Sequence, residues 1–458
     1  MTEPTDHGRK DAVDRRPAVQ RAVVIRPVRA GSRSLRTLAE RLEEAVGLAL
    51  ALDLDVVRSE SVPLRKATPA TLLGSGRVET LKIEAQAVEA DVIVIDDALS
   101  PVQQRNLEKA LDLKVIDRTG LILEIFARRA RTAEGKLQVE LARLDYEKSR
   151  LVRTWTHLER QSGGFGRTGG PGERQLELDR SLIADRVLKL KKDLEEVRRT
   201  RTLHRRARER APYPTVALVG YTNAGKSTLF NQLTAGGVLA QDMLFATLDP
   251  TRRSMKLPDG RPAILSDTVG FISDLPHELV AAFRATLEEV EEADLVLHVR
   301  DIASADSDAQ AADVREVLSQ LSLDTEAEGG PRRIEVWNKA DRLSAEARED
   351  VLSDLGRAGP EAAPSLVSAL TGEGCEALLK RIAELIDTNP AVEIHLSAGE
   401  GEALAWLYRH GRVEARDMDA EGGQVLQVRL DDQALGQLAT RYPKADVRGP
   451  THSAIAAE

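Results

Sequence analysis

Residues 215–227 read Thr-Val-Ala-Leu-Val-Gly-Tyr-Thr-Asn-Ala-Gly-Lys-Ser. The first five are mostly apolar or β-branched and predict a buried strand. The rest match the phosphate-binding pattern in which a glycine, four residues, a second glycine, a lysine and a serine lead from a strand into a helix. Glycines let backbone N–H groups wrap around a phosphate, and the helix N-terminus favours its negative charge. The stretch therefore predicts an α/β fold around a nucleoside phosphate.

The residues of this loop have separate expected roles. The Lys226 ammonium is placed to reach the β- and γ-phosphates, and the Ser227 hydroxyl is placed to ligate a Mg²⁺ ion bound to the same phosphates. The nucleotide-binding residues predicted here are Gly220, Tyr221, Thr222, Asn223, Ala224, Gly225, Lys226 and Ser227.

A second motif, Asp267-Thr268-Val269-Gly270, begins 41 residues after Lys226 and follows a predicted strand at 263–266. Nucleotide-binding α/β folds need a carboxylate near the Mg²⁺ and a backbone amide that meets the γ-phosphate on this side of the sheet. Asp267 and Gly270 are predicted to fill these two roles, and the whole motif is a predicted nucleotide contact.

The segment Phe245-Ala246-Thr247-Leu248-Asp249 lies between these two motifs and is a further predicted nucleotide contact. A threonine here completes the Mg²⁺ ligand shell only while the γ-phosphate is present, so the segment would order and disorder with the nucleotide state. We assign this role to Thr247, and Thr251 is the alternative.

Two motifs are predicted to recognise the base of the nucleotide. Asn338-Lys339-Ala340-Asp341 ends a predicted strand at 334–337, and its aspartate can accept hydrogen bonds from N1–H and N2–H₂ of guanine. Adenine lacks that pair of donors, so Asp341 favours GTP over ATP. Ser368-Ala369-Leu370 follows a strand at 366–367 and is predicted to supply a backbone N–H to guanine O6. Together the motifs predict a Mg²⁺-dependent P-loop GTPase domain.

Charge is unevenly distributed along the chain. The 458 residues suffice for roughly three domains, and their net charge is −9. Residues 127–210, however, contain 23 Lys and Arg against 13 Asp and Glu. Such segregation is typical of a nucleic-acid-facing segment on an acidic body.

Hydrophobic spacing and composition divide the chain into five regions. We predict a disordered tail at 1–20, an N-terminal α/β domain at 21–126, a basic helical hairpin at 127–212, a GTP-binding domain at 213–388 and a small C-terminal α/β domain at 389–458. The N-terminal domain alternates predicted strands at 23–25, 92–95 and 114–116 with predicted helices at 35–49, 78–90 and 102–111.

Two long helices are predicted within the basic region, at 131–162 and 173–210. Apolar residues recur at spacings of three and four in both, so each presents one apolar seam and the two can pack as an antiparallel hairpin. Their glycine-rich connector is longer than the ~2–5 residues that a turn between helices needs. We therefore predict RNA contacts by Phe165, Arg167 and Arg174, with a flexible turn as the alternative.

The cysteine content and the longest apolar run indicate the compartment of the protein. The chain has one cysteine, which cannot form an intrachain disulfide and fits a reducing compartment. The longest apolar run, near 46–52, is far shorter than the ~18–20 residues of a membrane span. We expect a cytoplasmic monomer with no membrane span and no signal peptide.

These motifs and the segments around them resemble the HflX family of ribosome-associated GTPases. Residues 162–180 resemble that family's glycine-rich loop, and residues 97–107 and 115–119 resemble its N-terminal domain. Residues 270–277 resemble its switch II segment. The resemblance runs from about residue 21 to 440.

The resemblance implies a cytoplasmic GTPase that binds GTP and GDP, the 50S ribosomal subunit and the 70S ribosome. It further implies that the hairpin loop reaches toward the peptidyl-transferase centre, and that the protein splits or rescues stalled 70S ribosomes under control of its nucleotide state. The alternative is an RNA-binding module for large-subunit assembly or quality control whose GTPase is only a switch. An ATP-driven enzyme is disfavoured by Asp341.

The sequence identifies no catalytic residue. Phe271 stands where many small GTPases carry a glutamine that orients the attacking water, and a phenyl ring cannot hydrogen-bond water. We therefore expect slow intrinsic hydrolysis that the ribosome stimulates. Asn223 is a candidate ligand for a catalytic K⁺ ion, with an ordinary loop hydrogen bond as the alternative. His277 is a candidate for positioning the water, with a structural role in switch II as the alternative.

Overall fold

The structure, a computed structural model, describes residues 19–29, 36–155, 181–197, 199, 213–234, 244–245, 247–274, 289–320, 332–357, 359, 363–386, 391–397, 399–419, 422–430 and 432–450. These residues form three sheets with helices packed against them. This confirms the predicted α/β class. The sheets lie in the regions predicted as the N-terminal, GTP-binding and C-terminal domains, whose boundaries stay predictions. The predicted tail at 1–20 lies almost entirely outside the described residues.

The first sheet is parallel, with strand order β2-β1-β3-β4. Its elements are β1 (Arg21–Arg29), α1 (Leu38–Leu50), β2 (Asp55–Leu64), α2 (Ser75–Ala87), β3 (Val92–Ile95), α3 (Pro101–Leu111), β4 (Lys114–Asp117) and α4 (Arg118–Arg129). Val24 packs with residues of α1 and α4, whereas Ile25 packs with residues of α2 and α3. Both faces of β1 are therefore buried, which explains its apolar run.

Two elements of the N-terminal region, strand β2 and helix α4, were not predicted from the sequence. β2 is an edge strand, and Arg58, Ser59 and Glu60 interrupt its apolar pattern. An edge strand tolerates such residues because only one of its sides pairs within the sheet. α4 begins directly after β4, where the Asp117 carboxylate accepts the Gly120 N–H at 2.9 Å and caps the helix.

The basic region is helical where it is described. α5 spans Ala133–Trp155, and residues 181–197 form α6. The Arg186 guanidinium lies 2.7 Å from the Glu140 carboxylate and joins the two helices. Leu190 and Leu194 of the predicted apolar seam are buried. The connector between the helices lies outside the described residues.

The second sheet has strand order β10-β9-β8-β5-β7-β6, in which β6 is antiparallel to β7 and the other pairs are parallel. Its elements are β5 (Thr215–Gly220), α7 (Lys226–Thr234), β6 (Thr251–Lys256), β7 (Pro262–Asp267), β8 (Leu295–Asp301), α8 (Ser307–Gln320), β9 (Arg332–Asn338), α9 (Ala345–Arg357), β10 (Ser365–Leu366) and α10 (Cys375–Ile386). All the predicted phosphate, metal and base motifs lie at the carboxyl ends of its parallel strands, which is where such sheets bind ligands.

The third sheet is antiparallel, with strand order β12-β13-β11-β14. Its elements are β11 (Ala391–Leu396), α11 (Gly401–His410), β12 (Arg412–Met418), β13 (Gln424–Arg429), α12 (Asp432–Arg441) and β14 (Asp446–Pro450). Leu407 and Leu438 of the two helices are fully buried against the sheet. No helix among the described residues is long and apolar enough to cross a bilayer.

A buried carboxylate, Glu44 of α1, joins the first sheet to the second. Arg118 Nη2 lies 2.7 Å from Glu44 Oε1, and Arg36 Nη1 lies 2.8 Å from Oε2. The Tyr221 hydroxyl also donates to this carboxylate, and Ser273 Oγ donates to Oε1 at 2.8 Å. Glu44 therefore contacts both the loop after β5 and the segment after β7.

The surroundings of Glu44 stabilise its negative charge. Burial alone would raise the pKa of Glu44, but the Arg118 charge, the Tyr221 hydrogen bond and the Arg36 charge outweigh burial and lower the pKa from 4.5 to about 2. A carboxyl group whose pKa is lower in the folded state contributes stability above its unfolded pKa. That contribution is lost as the pH falls from about 4.5 toward about 2.

Replacing Glu44 with Gln should destabilise the junction between the two sheets. The variant removes a charge that two buried guanidinium groups face, and breaking a buried ion pair costs about 3–5 kcal/mol. In the variant, Arg118 would still pair with Asp96 and Arg36 with Asp313. We therefore expect a loss of unfolding free energy at the lower end of that range. Urea unfolding at pH 7 measures the loss. Glu43→Gln, at the exposed neighbouring position, is the control. Equal stability of the two variants would contradict the assignment.

Candidate functional site

The phosphate-binding loop joins β5 to α7 and needs its two glycines. Gly220 has φ +153°, and a Cβ there would lie 2.2 Å from the Val299 carbonyl oxygen. Gly225 has φ +89°, and a Cβ there would lie 2.2 Å from Asn338 Nδ2. Any side chain at either position would strain the backbone and collide with its neighbour. The loop can therefore adopt this conformation only with glycine at both positions.

Lys226 is buried at the centre of the loop. Its Nζ donates to the carbonyl oxygens of Gly220 at 3.0 Å and Tyr221 at 2.8 Å. Burial lowers the pKa of Lys226 to about 8, and the Asp267 carboxylate opposes this shift. A bound phosphate would add negative charge beside the ammonium and favour its protonated form. The lysine is thus placed and oriented for a phosphate ligand.

Three oxygen-bearing side chains converge next to the lysine. Ser227 Oγ lies 2.9 Å from Thr247 Oγ1 and donates to Asp267 Oδ2 at 2.7 Å. Thr247 Oγ1 donates to the same Oδ2 at 3.1 Å. Hydroxyl and carboxylate oxygens are the ligands that Mg²⁺ uses beside phosphates. The structure thus places Thr247 at the predicted metal position, whereas the alternative, Thr251, is the first residue of β6.

Unsatisfied polar atoms show that this site fits a charged ligand. Asp267 is fully buried, and its Oδ1 has no hydrogen-bond partner among the described residues. Burial raises the pKa of Asp267, although Ser227, Lys226 and Thr247 oppose the shift. Thr222 Oγ1 is likewise buried without a partner. A cation beside Asp267 and a phosphate in the loop would supply these missing interactions.

The segment after β7 lies against the phosphate-binding loop. A Cβ on Gly270 would lie 2.8 Å from Thr222 Cα and 3.0 Å from Lys226 Nζ, so only glycine allows this approach. Phe271 donates its N–H to Gly220 O at 3.1 Å and accepts the Thr222 N–H at 2.7 Å. Its side chain is 3% exposed and packs in the core. Phe271 therefore cannot orient a water, as the sequence predicted.

The base motif is held to the phosphate-binding loop by Asn338. Its Nδ2 donates to Ala224 O at 2.9 Å, and its Oδ1 accepts the Ala369 N–H at 2.9 Å. Lys339 Nζ lies 2.7 Å from Asp301 Oδ2. The Ser368 hydroxyl donates to Asp341 Oδ1 at 2.5 Å and orients that carboxylate.

The backbone of residues 368–370 departs in part from the predicted role. The Ser368 N–H donates to Glu373 O at 2.9 Å, and the Ala369 N–H donates to the Asn338 side chain. A guanine O6 would have to share the Ala369 N–H with Asn338 or take that of Leu370, whose side chain is 75% exposed. The other motif residues of these loops are buried, namely Ala224, Leu248, Thr268, Val269 and Ala340.

The segment 245–249, which we call switch I, contacts the N-terminal region. The Phe245 ring meets the Phe126 ring edge to face, with centroids 5.0 Å apart. The Asp249 carboxylate accepts hydrogen bonds from the Arg131 and Thr132 N–H groups at 2.6 and 2.9 Å. The sequence predicted none of these partners, because they lie more than a hundred residues away in the chain.

Some predicted site residues lie outside the described residues. They are Ala246, His277 and the hairpin residues Phe165, Arg167 and Arg174. Asn223 is described and has φ +61°, a left-handed conformation that asparagine tolerates. It stays a predicted K⁺ ligand.

The arrangement of these groups suits a Mg²⁺-assisted reaction at the phosphates of a nucleotide. A bound Mg²⁺ would neutralise charge on the β- and γ-phosphates, and the residues that would hold it are Ser227 and Thr247, with Asp267 behind them. Lys226 and the loop amides bind and orient the phosphates. In this arrangement the described residues would act by positioning the phosphates and stabilising their charge.

Comparison with known proteins covers most of the chain. Residues 39–127 match the N-terminal model of a GTP-binding GTPase, and residues 129–208 match its middle-region model. Residues 215–339 match a 50S ribosome-binding GTPase model, and residues 356–448 match the HflX C-terminal domain.

Relatives named GTPase HflX match over nearly their full length. The Magnetococcus marinus protein is 52% identical over 87% of this chain and 89% of its own. The Escherichia coli K12 protein is 43% identical over 91% of this chain and 95% of its own. A GTP-binding protein solved with GDP, SsGBP, is 25% identical over 80% of this chain and 98% of its own, with a TM-score of 0.47. On these sequence matches, the chain belongs to the HflX family of P-loop GTPases.

Proposed function

We propose that this GTPase binds the 50S ribosomal subunit and splits or rescues stalled 70S ribosomes, and that its nucleotide state sets its affinity for the ribosome. One observation carries the proposal: residues preceding the GTPase domain hold both segments that would respond to a γ-phosphate. Phe126 contacts Phe245 of switch I, and Glu44 and Arg118 contact Ser273 after the Gly270 motif. A change in either segment would therefore be transmitted to the N-terminal region.

The charge distribution supports RNA as the partner. The excess of Lys and Arg between residues 127 and 210 comes mainly from residues 128–131 and 198–210, which flank the two helices in the sequence. Clustered Lys and Arg supply sequence-independent contacts to phosphates. The match of residues 215–339 to a 50S ribosome-binding GTPase model supports the large subunit. A monomer in the cytoplasm that uses Mg²⁺ fits this role.

The alternative function is a large-subunit assembly or quality-control module that binds RNA without splitting ribosomes. The same basic region, residues 127–210, supports both proposals. Sedimentation of 70S particles with the protein and a non-hydrolysable GTP analogue separates them, because only a splitting factor converts the 70S peak into 50S and 30S peaks.

Asp341→Asn should weaken GTP binding at least about tenfold, or about 1.4 kcal/mol. The substitution places an amide donor opposite the guanine N–H groups in place of an acceptor oxygen. Competition between GTP and XTP measures the change, and the variant should gain relative preference for XTP. Asp350→Asn, on the exposed face of α9, is the matched control. Unchanged GTP preference would remove Asp341 from base recognition.

Hydrolysis should be about tenfold faster in KCl than in NaCl if Asn223 helps to hold K⁺ against the phosphates. Such an ion would add positive charge beside the β- and γ-phosphates. Single-turnover rates of the wild type and Asn223→Ala in the two salts measure this effect. Equal wild-type rates in the two salts would contradict the K⁺ proposal.

Deletion of residues 163–172, with a short turn rejoining the helices, should abolish 70S splitting while GTP affinity stays near that of the wild type. The loop would insert into rRNA, where only glycine backbone approaches closely enough and where Phe165 and Arg167 contact bases or phosphates. Binding to 50S should weaken, with a shallower salt dependence. A deletion variant that splits 70S particles as well as the wild type would show that the loop is only a turn.

A further inference from the structure

The start of α5 is bonded to switch I through a single carboxylate. Asp249 Oδ2 accepts the N–H groups of Arg131 at 2.6 Å and Thr132 at 2.9 Å, and Oδ1 accepts the Thr132 hydroxyl at 2.6 Å. Thr132 Oγ1 in turn accepts the Gly135 N–H at 3.0 Å, as an N-cap residue does. Asp249 thus satisfies backbone donors at a helix N-terminus although it lies 117 residues away from Thr132 in the chain.

Gly135 provides the room that Asp249 occupies. A Cβ at position 135 would lie 2.4 Å from Asp249 Oδ1, closer than atoms can approach without movement. Gly135 is the third residue of α5, where alanine would favour the helix more than glycine does. The glycine therefore weakens the helix locally, but it leaves the space that the Asp249 carboxylate occupies.

The bonded carboxylate lies close to the metal position. Only Leu248 separates Asp249 from Thr247, and two residues span at most about 7 Å of chain. Leu248 is itself buried in the same core cluster as Phe126 and Phe245. With Leu248 and Asp249 held, Thr247 has little freedom to leave the oxygens of Ser227 and Asp267.

We propose that Asp249 is a positioning residue for GTP hydrolysis: by bonding to the first turn of α5 it holds the Thr247 hydroxyl at the metal site, and Gly135 is required because it leaves room for this carboxylate. The inference rests on the Mg²⁺ role of Thr247 and does not depend on ribosome splitting. Because Thr247 contributes only when a γ-phosphate is present, the contact favours GTP over GDP.

Gly135→Ala is the sharpest test, because it displaces the Asp249 carboxylate without removing any hydrogen-bonding group from the chain. We expect affinity for a non-hydrolysable GTP analogue and the single-turnover rate to fall about tenfold. GDP affinity should stay unchanged, and the melting temperature should stay about equal, because alanine favours the helix while the displaced carboxylate no longer bonds its first turn. Gly76→Ala is the matched control, since it places alanine in the first turn of α2, where a Cβ meets nothing within 4 Å.

Two further variants separate positioning from packing. Asp249→Ala should reproduce the loss of GTP preference, and Thr132→Ser, which keeps the hydroxyl, should retain it. In the GTP-analogue complex, the Arg131 and Thr132 amides should exchange with deuterium faster in Gly135→Ala than in the wild type. An unchanged ratio of GTP to GDP affinity in Gly135→Ala would overturn the proposal. A fall in GDP affinity together with the melting temperature would also overturn it, because Gly135 would then serve only the fold.

Discussion

The arrangement of the molecule depends on the buried carboxylate of Glu44. A charge removed from water is costly unless ionised partners and hydrogen bonds surround it, and here two guanidinium groups and two hydroxyls do so. Two of these partners, Tyr221 and Ser273, belong to the nucleotide-binding loops. The position of those loops is therefore set by residues of a different sheet, and the GTPase domain cannot be understood apart from the region that precedes it.

The motifs predicted to form the nucleotide side of the site lie close together in the structure, and short local patterns suffice to identify them. Three of the motifs follow parallel strands of one sheet, so local pattern and sheet geometry together bring Lys226, Asp267 and Asn338 to one edge. The partners of switch I were not predicted, since no local pattern records contacts across a hundred residues. One signal was present: Gly135 interrupts an otherwise helical pattern, and such a glycine usually has a packing or functional reason.

A second set of hydrogen bonds holds α5 to the N-terminal sheet. Asp117, at the carboxyl end of β4, accepts hydrogen bonds from the Tyr146 hydroxyl and from Arg150 Nη2, the latter at 2.8 Å. These two side chains lie one turn apart on α5, on the face toward the first sheet. α5 is thus bonded to switch I at its start and to the N-terminal sheet about four turns later, so it links the two.

Asn338 has a consequence for how nucleotide enters and leaves. Its side chain bonds the phosphate-binding loop to the backbone of Ala369, so it holds the two loops together. A bound nucleotide would then leave more easily by displacement of switch I than by separation of the loops that Asn338 joins. Since Phe245 is packed against Phe126, the rate of nucleotide exchange would then depend on the N-terminal region. A partner that shifted that region would act as an exchange factor without touching the nucleotide.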